Sequence, residues 1–268
     1  MLVALLARDL KQPQAAEEFY RRGVAIFENL ADEFPRDLSH RWRLADAHRE
    51  WAFCLQDSGR TQEARGILDR AIANFAKAVE MGSKDTWRVW YPLALLHLSS
   101  GRTKEYRALC ETLLERFGQT NDPDFWVIII CKLAPDAVAD LARPVQMAEK
   151  MLARHPHNAD FVGLLGDTLY RKGDLEAAVQ RLEASIRAAP GVGVHWKKLV
   201  LAMAYHRLDR PAKAQQLLQE AARWIEKNGQ EKLAEGAELK EPLPWSLRLD
   251  LQLLRREAEE LLGKQSDR

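Results

Sequence analysis

The sequence predicts an all-α fold of successive two-helix hairpins, and three observations predict it. In "LLGDTLYRKGDLEAAVQRLEASIRAAP" (residues 164–190), Leu165, Gly166, Leu169, Ala178, Leu182, Ser185 and Ile186 recur at three- and four-residue steps. That is the spacing of a helix face, not the alternation of a strand. Gly173-Asp174 breaks the pattern midway, and Ala189-Pro190-Gly191 stops it, because proline cannot continue a helix. Second, the same turn recurs at Gly59, Gly101, Gly173 and Asp209, and less perfectly at Lys11, with separations of 48, 42, 72 (twice 36) and 36 residues. Fixed periods of about 20–50 residues mark stacked repeats. Third, equivalent positions share chemistry. Seven residues before the turns stand Ala4, Ala52, Ala94, Gly166 and Ala202, all small, and five after them stand Ala16, Ala64, Tyr106, Ala178 and Ala214. Small residues let two helices approach closely.

The first unit, 1–36, aligns from the middle of a helix, because "MLVALLARDLK" supplies only its second half. Units 37–82 and 85–119 follow; in the first two units "AEEFYRRGVAIFENLADEF" and "ARGILDRAIANFAKAVEM" carry on past the usual stop. The unit at 123–156 has Asp124–Ala134 as first helix and Pro144–His155 as second, joined by "PDAVADLAR" in place of a tight turn. Pro144 suits a helix's first turn. Units 159–190 and 195–228 complete the array. Residues 229–244 mix charge, glycine and proline and read as a linker. Residues 245–263 then place Leu247, Leu251, Leu254, Ala258 and Leu261 on one face of a capping helix, and 264–268 form a tail. One polar face is what an exposed end of a stack requires.

W/L-L-G/A-x-x-Y/L in the first helix, a turn glycine, A-x-x-x-F/L-x-x-A in the second helix and a closing proline resemble the tetratricopeptide repeat. The resemblance covers residues 1–227 and implies hairpins stacked into a right-handed superhelix with a concave inner face. "KLVLAMAYHRLDRPAKAQQLLQEAARWIEKN" also resembles the repeat regions that follow bacterial serine/threonine kinase domains. The chain has no Gly-rich phosphate loop, HRD-type loop or DFG.

Forty basic and 39 acidic residues leave a formal charge of +1, which gives no general pull towards nucleic acid or an acidic membrane. No stretch reaches the roughly 18–20 apolar residues of a membrane span. Cys54, Cys110 and Cys131 form no CxxC pair, so they predict core packing in a reducing cytoplasm, without a disulfide framework or zinc site. The histidines are scattered and supply no metal site. No GxSxG, HExxH, P-loop, GxGxxG or EF-hand occurs, so no catalytic, cofactor-binding or metal residue is assigned and an enzyme is not expected.

The inner-face positions implied by the resemblance are Arg49 and Phe53, then Arg88, Tyr91 and Leu95, then Asp167 and Tyr170, then Trp196 and Met203. Aromatic, aliphatic and arginine residues together make protein-recognition surfaces. The expected activity is a non-catalytic scaffold that holds a partner peptide or helix in the groove, with Tyr91, Tyr170 and Trp196 as anchors and Arg49 and Arg88 as orienting charges. Two alternatives stand beside it: self-association through the apolar "LVALL" of the incomplete first unit, and a regulatory piece of a larger kinase-like chain. Some family members clamp chaperone tails through inner Lys and Asn residues. Here Phe53, Pro92, Leu164, Trp196 and Val200 occupy those positions, which argues against that adaptor role.

Overall fold

Helix signals are honoured locally. Asp37, Asp124 and Asn158 each cap a helix start, accepting the backbone N–H of Ser39, Trp126, and both Asp160 and Phe161, respectively. Gly59, Gly101 and Gly173 take positive φ at the hairpin turns, and Asp209 does so in place of a glycine. The computed structural model describes residues 13–119, 123–191, 193–230 and 233–263. The half-helix expected in residues 1–12, with its "LVALL" edge, and the tail at 264–268 lie outside them.

The helices are α1 (Pro13–Glu33), α2 (Leu38–Asp57), α3 (Thr61–Glu80), α4 (Tyr91–Ser99), α5 (Thr103–Phe117), α6 (Phe125–Lys132), α7 (Ala142–Arg154), α8 (Ala159–Lys172), α9 (Leu175–Ala188), α10 (Val194–Arg207), α11 (Pro211–Asn228) and α12 (Trp245–Gly263). No strand occurs among the described residues, and the fold is an all-α helical solenoid. A five-residue π-turn, Thr86–Trp90, leads into α4. Pro92 explains it: proline cannot donate to the carbonyl four residues back, so the ladder widens and the Tyr91 N–H bonds Thr86 instead.

The chain divides into two units, one ending at Leu96 and the other beginning at His97, inside α4. In unit 1, α2 packs on α1 and on α3. Ala16 and Tyr20 of α1 meet Cys54, while Val24 and Ala31 meet Leu44 and Ala47. In unit 2 the first helices of successive hairpins, α6, α8 and α10, are neighbours, and each second helix packs on the first helix that follows it. Ala202 is fully buried, and Gly166 is buried against Leu182 of α9. The free thiols of Cys54, Cys110 and Cys131 are all buried.

Two connectors make contacts that their composition does not show. The α6–α7 connector is partly core, with Ala137 and Val138 buried and the Ala139 N–H bonded to Glu111. In the linker, Glu238 and Leu239 are tied to the end of α11. Buried Asn228 accepts the backbone N–H groups of Glu238 and Leu239 at 2.7 and 3.0 Å, and Trp224 donates to Glu238. A side-chain amide at a helix end can hold a loop in this way, and the charged composition does not reveal it.

Beside that loop, His195 stacks on Trp224 with ring centroids 4.0 Å apart. Burial, then the Lys198 charge, depress its pKa to about 4, against the opposing pull of Glu238 and Glu220. Burial also lowers the pKa of His48 and His97. Between pH 4 and the ordinary histidine value near 6.5 the unfolded chain binds the extra proton, so stability rises with pH across that window. His195's share is complete above about pH 6.5 and is lost as pH falls towards 4. Amide exchange on α10 and α11, corrected for the intrinsic rate, should show less protection at pH 5 than at pH 7, and His195→Phe should shrink that difference; an unchanged difference would show that the ring titrates normally.

Candidate functional site

The inner-position residues do not form one set. Arg49, Phe53, Arg88, Tyr91 and Leu95 belong to unit 1, and Asp167, Tyr170, Trp196 and Met203 to unit 2. Tyr91 and Leu95 are fully buried because α4 is apolar on every side, so Tyr91 is a core residue and not an anchor. Arg49 is 2% exposed and held by Asp46 and Glu50 at 2.6 and 2.8 Å. Arg88 is exposed but pairs with Asp85 at 3.1 Å. Neither is an uncommitted orienting charge. Phe53 is half-buried under the Arg49 guanidinium, 5.3 Å from its ring centre.

Unit 2 brings its four residues onto adjacent helices. Met203 is fully buried and Trp196 is half-buried on α10. Tyr170 of α8 is 4% exposed, flanked by the guanidinium carbons of Arg171 and Arg207 at 5.6 and 5.5 Å. Burial raises its phenol above the ordinary value. Asp167, one turn earlier, is also buried and pairs with Lys132 of α6 at 2.8 Å. Its other carboxylate oxygen has no hydrogen-bond partner among the described residues.

Sequence reasoning missed the centre of this arrangement. Arg171 is buried at the end of α8, where its Nε donates to the Lys132 carbonyl at 2.8 Å. Its two terminal nitrogens grip both oxygens of Glu257 on α12, one at 2.7 Å. Burial alone would lower the pKa of Arg171, but the Glu257 bonds outweigh it and hold the guanidinium above its ordinary range. A planar fork with a carboxylate filling both prongs is the strong form of charge-assisted bond. Arg171 directly follows Tyr170, which is the one local clue. Its partner lies 86 residues away in sequence. Among the described residues no group of three or more His, Cys, Asp or Glu could hold a metal, and no helix is long and apolar enough to cross a membrane.

Comparison with known proteins agrees with the fold. Tetratricopeptide-repeat family models match residues 55–122 and 137–200, so these two segments carry the repeat's pattern. A tetratricopeptide repeat protein from Parabacteroides merdae ATCC 43184 is similar in structure, with a TM-score of 0.50 and 13% identity over 96% of this chain and 83% of that one. A thermophilic repeat protein from Thermus thermophilus gives a TM-score of 0.42 and 17% identity, over 75% of this chain and 95% of that one. No curated protein matches the chain in sequence. None of these findings singles out the kinase-tail resemblance.

Proposed function

We propose that unit 2 is a non-catalytic docking module that binds a segment of another polypeptide on the face shared by α8 and α10. The observation that carries this reading is Arg171, held in place by the Lys132 carbonyl and aimed at a carboxylate beside Tyr170 and Arg207. A buried, pre-oriented arginine next to aromatic rings is the usual composition of a binding hot spot. Trp196 and the exposed Arg207 extend the same face of α10.

The test replaces accessible residues. Trp196→Ala with Arg207→Glu should leave the circular dichroism spectrum unchanged. Proteins that the parent chain retains from a native lysate, quantified by mass spectrometry, should fall by about tenfold or more, as expected for loss of a hot-spot aromatic and reversal of a facing charge. Arg88→Glu, in unit 1, should retain them. Equal capture by all three chains would reject the α8–α10 face.

A further inference from the structure

We infer that α12 is a resident ligand of the α8–α10 face, which is built for an amphipathic helix carrying a carboxylate, and that a partner helix of this chemistry binds by displacing α12. The inference rests on the docking reading above and specifies its ligand.

Placement comes first. In the regular stack a first helix leans mainly on the preceding second helix, as α10 does on α9, and less on the preceding first helix, α8. For α12 the order is reversed: it leans mainly on α10 and less on α11. It is therefore not simply the next first helix in the row. Glu257 also reaches Arg171 on α8, past α10. Two interhelical steps of about 8–10 Å each exceed what an Arg–Glu pair spans, so the second half of α12 lies over the face instead of at its end.

Contacts outside α12 also position the arginine. The Lys132 carbonyl orients Arg171 from α6, and Tyr170 supports it from α8. The helix that fills the site shows what it accepts: Leu251, Leu254 and Ala258 form a buried stripe, with Glu257 beside it. Recognition of an apolar stripe at such spacing is the helix-in-groove mode.

The attachment is uneven. The approach to α12 is fastened by Asn228 to Glu238 and Leu239, and the front of the helix buries Ser246 and Asp250. Beyond Ala258, Glu259 and Glu260 are exposed and Leu261 and Leu262 are only half-buried. The far half can leave the face while the front stays anchored, and the Arg171–Glu257 pair is its latch.

The experiment uses the full chain with Glu257→Lys, and a fluorescent peptide of residues 245–263 as the probe. Amide exchange in 251–263 should rise by about tenfold or more, because two like charges then meet at a buried site. Fluorescence anisotropy should show the peptide binding this variant at least about tenfold more tightly than the parent chain, and a Glu257→Gln peptide binding more weakly, as loss of a desolvated charge pair requires. The swap of Arg171→Glu with Glu257→Arg should restore slow exchange, which separates unlatching from misfolding. If α12 of the Glu257→Lys chain exchanges as slowly as in the parent, the latch is wrong and the docking reading survives. Freed α12 with no peptide uptake would overturn both. A dimer in light scattering whose α12 stays protected would make a second copy the occupant and overturn the partner helix.

Discussion

Asp167→Ala should cost about 3–5 kcal/mol, the expected penalty for removing one partner of a buried ion pair. Lys132 and Asp167 are both buried, and their charged atoms stand 2.8 Å apart. Truncating the aspartate strands the Lys132 ammonium where water cannot replace the lost oxygen. The paired replacement Lys132→Met with Asp167→Val removes both charges with little change in volume, so it should fall within about 1–2 kcal/mol of the parent or above it. The chain divides into two units, so a single unfolding midpoint is not a safe measure. Amide exchange on α8 reports the local free energy directly. A single-variant loss below about 1 kcal/mol would show that the pair behaves as an exposed salt bridge.

The same pair shows what a sequence can and cannot disclose. The hairpins are legible because helix periodicity, turn glycines and small contact positions are local signals. Ala52, Ala64, Ala94, Ala178, Ala202 and Ala214 are all fully buried, and Asp124 caps the short α6 where the sequence places a helix start. Inner-face assignment is a different problem. It supposes a regular stack with nothing lying on it. Met203 occupies an inner position by register, yet it is fully buried, on a helix that packs on α12 as well as on its repeat neighbours. Asp167 is sited by register, but nothing local shows that its partner is Lys132, 35 residues earlier. Glu257 sits amid Arg255, Arg256, Glu259 and Glu260, and by composition it is one more solvated charge. Only the crossing of α12 gives it a buried partner. Local periodicity therefore reads the hairpins, whereas the site depends on contacts between remote helices.

Gly166→Leu should cost about 3 kcal/mol, at the upper end of what overpacking a core does. A Cβ at Gly166 would already stand 2.8 Å from Leu182 Cγ, 3.1 Å from the Leu182 backbone nitrogen and 3.2 Å from Arg181 Cβ. The Leu182 side chain can turn away, but its backbone nitrogen cannot move without shifting α9. A leucine adds three more carbons to a space that does not hold the first. Gly166→Ala faces a contest of two terms. Alanine gains about 1 kcal/mol of helix propensity over glycine, against the same Cβ collision, so it should cost much less than leucine and could approach neutrality. Ala202→Leu, at the equivalent and fully buried place on α10, should lose about 1–3 kcal/mol. Amide exchange on α8 and α9 for the two Gly166 variants, and on α10 and α11 for the Ala202 variant, would rank the three. The order leucine at 166, leucine at 202, alanine at 166 is the one that close helix approach demands. An alanine variant as damaged as the leucine one would place the constraint in the glycine backbone, although Gly166 has no positive φ to require it.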